Sequence, residues 1–377
     1  MRRPPIRILD AAGTHEQIGA AHGARFAEEI REYASHRVDL VVDGLWSGGS
    51  LARGDVLALA DSMLPAHEAF DAGLHAEMLS MAEAAGITPA EAVIVGGFTD
   101  FVDTVRAVVG GPLPASVVED DCTAVIVPDA RAAGAGFLAQ TWDMHDTATD
   151  HVLLMRLVPD DAPASTVFTT TGCLGQIGMN EAGLCVGINN LSGADGRRGV
   201  TWTSVVRGML QCQSADEALQ VLLDADLAGA HNFLIYDAAD TGYDVEAMPS
   251  ARPYDRLGDH PILHTNHTLR AEARAAEIDK DPDLLASSVR RLELARELLA
   301  DGDIDADRLM ALTREPTAIC QRPAGAHRLE SSGAAIMRPR SGEFWACWGP
   351  PADNDYVLIE APLPDRPGRA RPDPETV

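Results

Sequence analysis

At Cys122 the chain changes character, and that change limits the folds open to it. Residues 7–9 read as one short strand, but from Gly13 to about residue 109 the pattern is helical. Thr14 followed by Gln17 is a helix start of the capping-box kind. Thr88-Pro89 opens another helix, with Pro at its first position. Helices are predicted over 24–43, 55–72 and 74–85, with loops at 44–54 and 110–114. Gly19 and Gly23 fall on one helix face, which suits close contact with a second element. No Lys and no Gly-rich turn after a long strand accompanies them, so they do not read as a phosphate loop.

From Cys122 onwards strands dominate. Thr123 to Val127 is a short apolar run rich in β-branched residues, and Gly136 to Asp143 is a second run. Pro128-Asp129 and Gly134-Ala135-Gly136 between them are turn signals, so the two runs read as a hairpin that brings Cys122 near Asp143. Further strands are expected at 152–157, 166–169, 175–188 (with a turn at Asn180–Gly183), 231–237, 243–248, 262–267, 333–337 and 344–348. Helices are expected at 203–211, at 215–224 behind the cap Ser214, and at 283–300 and 303–313. The Arg/Glu mix of the last two reads as a solvated face. The class is therefore α+β.

With 57 acidic and 30 basic residues in 377, the chain carries a net charge of −27. Such a field repels nucleic acid and anionic membrane surfaces, which excludes both as default partners. No apolar run is long enough to cross a bilayer, and the N-terminus lacks the apolar stretch of a signal peptide. Six cysteines without CxxC spacing indicate thiols in a reducing compartment, so a cytoplasmic protein is expected.

Taken alone, Cys122 has two readings. It is a small buried residue at a strand start, or a nucleophile with Asp143 as polar support. His264 and His267 stand three apart, but alternate residues of a strand point to opposite faces and no third ligand is evident, so no metal is expected. Trp142, Trp345 and Trp348 read as core.

Six blocks, in order, resemble the acyl-coenzyme A:6-aminopenicillanic-acid acyltransferase family of cysteine N-terminal nucleophile (Ntn) hydrolases. They are Gly13-Thr14 to His22-Gly23, Asp121-Cys122-Thr123, Gln140-Thr141-Trp142-Asp143, Gly175 to Gly183, His231 to Asp237, and His264-Thr265-Asn266-His267. The resemblance implies a four-layer αββα sandwich of two antiparallel sheets between helical layers. It also implies self-cleavage between Asp121 and Cys122, giving a helical segment 1–121, a β-rich core 122–361 and a Pro- and charge-rich tail 362–377. Cys122 is then nucleophile, Asp143 holds its α-amine, and the Asn266 amide stabilises the oxyanion. Thr123, Trp142, His145, His264 and Ser332 are implied as pocket or support.

Two departures from the family pattern stand out. Acidic residues Glu119, Asp120 and Asp121 precede the cysteine. The family's arginine near the end aligns with Ser331-Ser332-Gly333, and Arg328 lies close by. The implied substrates are a small amide, an amine or an acyl thioester, with acyl-CoA as a co-substrate, no resident cofactor, and a homo-oligomer allowed. The alternative is an uncleaved, catalytically silent Ntn-fold protein with a binding or assembly role.

Overall fold

The computed structural model describes residues 6–44, 46–108, 122–323 and 328–360. The expected loop at 110–114, Asp121 with the acids before it, and the tail 362–377 lie outside the described residues.

Strand β1 (Arg7–Gly13) opens the chain. It is followed by α1 (His15–Arg25), α2 (Ala27–Asp43), α3 (Arg53–Asp61), α4 (Leu64–Phe70), α5 (Ala72–Ala85), α6 (Pro89–Gly96) and α7 (Phe98–Val108). The predicted capping box of Thr14 with Gln17 is present, and the Thr88 start, with Pro89 at its first position, also closes a capping box with Glu91. The helix expected over 24–43 is interrupted at Phe26, whose φ of −123° is not helical. The one expected over 55–72 divides before Pro65, which lacks an N–H and favours a helix start.

The β-rich part runs β2 (Ala124–Val127), β3 (Phe137–His145), β4 (Val152–Pro159), β5 (Ser165–Thr170), β6 (Ile177–Asn180), β7 (Leu184–Asn190), α8 (Trp202–Met209), α9 (Ala215–Asp224), β8 (His231–Asp237), β9 (Gly242–Ala247), β10 (Tyr254–Arg256) and β11 (Ile262–His264). It ends with α10 (Ala271–Arg274), α11 (Pro282–Leu298), α12 (Ala306–Thr313), β12 (Leu329–Arg338), β13 (Glu343–Trp348) and β14 (Val357–Glu360). The edge strands β10 and β14 carried no separate sequence signal. The strand expected over 262–267 stops at His264.

Two sheets form. One has the order β1-β4-β5-β6-β7-β8-β9-β10, the other β11-β2-β3-β12-β13-β14. All pairings are antiparallel except β1 with β4. The sheets lie face to face: Gln140 of β3 reaches across, its amide taking both the N–H (2.7 Å) and the C=O (3.0 Å) of Ile188 in β7. Strand alternation then assigns each residue a face. Ala124, Ile126, Leu138 and Trp142 enter the core between the sheets. Val125, Val127, Phe137 and Ala139 pack outward against Ala295 of α11, Leu299 just past its end, and Leu309 and Leu312 of α12. Helices α1 and α9 pack on the other sheet, with α8 beside α9. The result is helix, sheet, sheet, helix. No single helix among the described residues is long and apolar enough to cross a membrane.

The segment before residue 109 is not a separate body. Ile18, Ile30 and Val93 share one core with Phe168 and Ile235. Buried Glu77 of α5 accepts two hydrogen bonds from Arg207 of α8, at 2.7 and 3.0 Å, and lies 2.8 Å from His15 Nδ1. Hydrogen bonding to Glu77 raises the His15 pKa. Burial works to raise that of Glu77, but Arg207 and His15 together lower it. Helices α1 and α5 pack so closely that a Cβ on Gly19 would stand 2.1 Å from the Glu77 carbonyl oxygen, and one on Gly23 would stand 2.3 Å from that of Met81.

Gly19→Val should therefore lower unfolding stability by roughly 3 kcal/mol, the upper end for overpacking. Gly54→Ala, in the first turn of α3 with nothing within 4 Å, should be neutral or stabilising by about 0.4–1 kcal/mol in urea unfolding. The Glu77 cluster sets two flanks of stability against pH. The Glu77 contribution is present above its unfolded value of 4.5 and is lost as pH falls through its lowered pKa. The His15 contribution is present below 6.5 and is lost as pH rises through its raised pKa. Unfolding free energies measured across pH should show both flanks in the wild type, and Glu77→Gln should abolish the alkaline one.

Candidate active site

Cys122 sits two residues before β2 begins, with its side chain completely buried. Pairing of β2 with β3 sets Ala124 against Gln140 and carries Cys122 toward Asp143, as the predicted hairpin requires. The thiol lies 4.0 Å from the Asp143 main-chain carbonyl oxygen. The Asp143 carboxylate accepts a hydrogen bond from Ser331 Oγ at 2.6 Å. Alternation explains this geometry. Asp143 shares its face of β3 with Thr141, Ala139 and Phe137, whereas Cys122 follows the inward face of Ala124 and Ile126.

The main-chain N of Cys122 donates to Asn266 Oδ1 at 2.6 Å. Arg291 Nη2 donates to the same oxygen at 3.2 Å, and Asn266 Nδ2 donates to the Asn190 carbonyl at 3.1 Å. Two donors on one side and a carbonyl on the other fix the amide orientation. Asn266 thus presents an acceptor to Cys122 and directs its NH₂ elsewhere. The expected roles were an oxyanion donor for Asn266 and a hold on the Cys122 α-amine for Asp143; in the uncut chain it is Asn266 Oδ1 that accepts from the Cys122 main-chain N–H.

Two neighbours were not foreseen. Arg291 Nη1 donates to the Cys122 carbonyl at 2.6 Å and to Thr123 Oγ1 at 3.0 Å. Asn189 Nδ2 donates to the Cys122 carbonyl at 3.2 Å. Arg291 is completely buried, which corrects the reading of helix 283–300 as a solvated Arg/Glu surface at this position. The signal was present: Ser288, Arg291, Leu292 and Ala295 are the buried residues of α11, at the i, i+3, i+4, i+7 spacing of a core-facing stripe. An arginine on such a stripe points inward. Arg328, close to the position where the family's arginine aligns, is exposed and pairs with Asp146.

The remaining expected residues divide. Thr123 belongs to the centre, its N–H donating to Thr141 Oγ1 at 3.2 Å. Trp142 is buried between the sheets, edge-on to Phe168. His145 turns to Thr147 Oγ1 at 2.9 Å, and burial followed by Arg37 lowers its pKa. Ser332 contacts Thr149 Oγ1 at 3.0 Å and Ser331 takes the place beside Asp143; the β12 register shifts between Ser331 and Gly333. His264 bridges Glu246 Oε1 (3.0 Å) and the Thr265 carbonyl (2.7 Å). Its pKa is pushed down by burial but raised overall by Asp244 and Glu246. His267 lies 2.8 Å from Ser288 Oγ, and burial lowers its pKa to about 4. Among the described residues, no group of three or more His, Cys, Asp or Glu is placed to hold a metal ion.

A family model described as acyl-coenzyme A:6-aminopenicillanic acid acyl-transferase matches residues 130–353. That span contains Asp143, Asn266 and Arg291, and Cys122 lies just ahead of it. The 40 kDa form of acyl-coenzyme A:6-aminopenicillanic-acid-acyltransferase from Emericella nidulans is 27% identical over 170 residues, 44% of this chain and 46% of that protein. The match therefore spans just under half of that relative's length. Among solved structures, a mutant of conjugated bile acid hydrolase from Clostridium perfringens aligns with a TM-score of 0.44 and 10% identity, over 63% of this chain and 92% of its own. Penicillin V acylase from Agrobacterium tumefaciens aligns at 0.39 and 11%, over 63% and 86%.

Asn266→Ala should lower stability by about 1–3 kcal/mol, because it strips an acceptor from two buried donors. Asn266→Asp keeps an oxygen facing Cys122 N and Arg291 and should cost less. Urea unfolding of the two variants checks the order, and equal losses would contradict an acceptor role.

Proposed function

Because the chain belongs to the acyl-coenzyme A:6-aminopenicillanic acid acyl-transferase family, we propose that it is a cysteine amidohydrolase or N-acyltransferase that works through an acyl-Cys122 intermediate. We further propose that it activates itself by cutting the Asp121–Cys122 bond. The observation that carries this reading is the grip on Cys122: its nitrogen is held by Asn266 and its carbonyl by Arg291 and Asn189, with the thiol beside the Asp143 carbonyl. A residue fixed at both backbone ends presents its thiol in one orientation, as a nucleophile requires.

In the precursor, Cys122 Sγ attacks the Asp121 carbonyl carbon. The C–N bond breaks, the thiol proton passes to the departing nitrogen, and water opens the resulting thioester. The freed α-amine has a reference pKa of about 7.7–8.0 and the thiol one of about 8.5, so near neutrality the amine can take the thiol proton. The amine donates one N–H to Asn266 Oδ1, which leaves its lone pair for the proton of Sγ. The thiolate then adds to a substrate carbonyl. The leaving amine or thiol departs with that proton, and water or a second amine takes the acyl group from sulfur. Asp143 acts at one remove, fixing β12 against β3 through Ser331.

Hydrolysis and transfer share this intermediate. The Emericella relative is named for transfer from acyl-coenzyme A to 6-aminopenicillanic acid, so acyl thioesters as well as small amides are the substrates to test. The cytoplasm is the proposed location, since thiols stay reduced there.

Intact-mass measurement of the purified protein should show two chains divided before Cys122. Cys122→Ala should give one uncut chain and no acyl adduct with any amide or thioester offered. A wild-type chain that stays whole and takes up no acyl group at Cys122 would instead support the silent binding protein. Cutting that persists in Cys122→Ala would refute the mechanism.

A further inference from the structure

The site described above leaves open how Cys122 reaches its working protonation state in so acidic a protein. We propose that Arg291 is a positioning residue whose charge keeps the resting Cys122 α-amine unprotonated, and so free to take the thiol proton, and stabilises the thiolate that this transfer forms. This rests on the reading of Cys122 as the nucleophile.

The geometry is direct. Cys122 N and Arg291 Nη2 meet at one oxygen, Asn266 Oδ1, at 2.6 and 3.2 Å. The guanidinium and the nitrogen that becomes the amine are therefore within about 6 Å, a range at which charges shift each other's titration. Arg291 Nη1 also grips the Cys122 carbonyl at 2.6 Å. Both partners are completely buried, so solvent screens the interaction little. A cation at this place disfavours a second cation on the amine and favours an anion on sulfur, and both effects move the titrations down.

The other groups around Cys122 do not replace this charge. From β3, Asp143 acts in the opposite sense, with its carboxylate hydrogen-bonded by Ser331. Behind β11, the buried pair His264–Glu246 combines opposite charges. His267 is neutral near pH 7, with a pKa of about 4, and Lys280 lies beyond it against Ser192. Cys320, which faces Asp143 and Ser331, is raised by burial. Among the described residues, Arg291 is thus a cation in direct contact with Cys122. Its anchors, Thr123 Oγ1 and Asn266 Oδ1, hold the guanidinium in one place.

The chain offers a direct readout. Burial raises the pKa of Cys173, Cys185 and Cys320, and puts Cys212 at about 11 and Cys347 at about 12. Ultraviolet thiolate absorbance that appears on titration below pH 8 therefore reports Cys122 alone.

Once intact mass has established that the wild-type protein is cut, the midpoint should fall below the reference thiol value of about 8.5. Arg291→Met should raise it by about one unit, and the rising limb of acylation rate against pH should move with it. Arg291→Lys should stay near the wild type. A wild-type midpoint at or above about 8.5 overturns the inference and needs no variant, so poor folding of Arg291→Met does not remove the test. Coincident midpoints in wild type and Arg291→Met also overturn it. A cut wild-type chain with either result sinks this inference alone, whereas an uncut chain sinks the reading of Cys122 as well.

Discussion

A single side-chain oxygen, Oδ1 of Asn266, receives the main-chain nitrogen of Cys122 and the guanidinium of Arg291. Three separate parts of the chain meet there: the start of β2, the loop after β11, and the middle of α11. Each depends on the others. The Asn266 N–H is tied to Ser288 Oγ in α11, and Arg291 returns from α11 to the Cys122 carbonyl. An acceptor shared by two buried donors is an arrangement in which losing one member strands the rest. The position of the thiol is set by this closed loop of hydrogen bonds more than by β2, which is only four residues long.

Much of the fold was legible because its signals are local. Capping boxes, the β2–β3 hairpin and the turn before Gly183 each need only a few neighbouring residues, and the structure contains all of them. Partners brought together by tertiary packing were not legible. Nothing near Arg7–Gly13 announces that the strand will lie parallel to β4, some 140 residues later. Arg291 was hidden for a related reason. Helix α11 carries charges over most of its surface, and only the spacing of its small and apolar residues shows which arginine turns inward.

The same limit governed the side chains of the candidate site. The predicted hairpin brought Cys122 near Asp143 and the family resemblance added Asn266; in the structure Asn266 Oδ1 meets the Cys122 nitrogen and the thiol lies beside the Asp143 carbonyl. The expected roles assigned their atoms differently. Which carboxylate or amide atom faces the cysteine depends on strand parity and on the partners supplied by α11 and β12. Ser331 and Ser332 make the point: adjacent residues at a register shift, one bonded to Asp143 and the other to Thr149.

The docking of β1 on β4, together with the Glu77–Arg207 contact, has a consequence for the life of the molecule. While the chain is whole, these contacts form within one polymer at a high effective concentration. Under the proposed cut before Cys122, the same contacts would join two polymers. The first strand and first seven helices would then be held as a bound subunit, and the core could be lost by dilution. Assembly would become a one-way event: folding first, the cut second, and a denatured, cut protein would face a second-order search that its precursor never met.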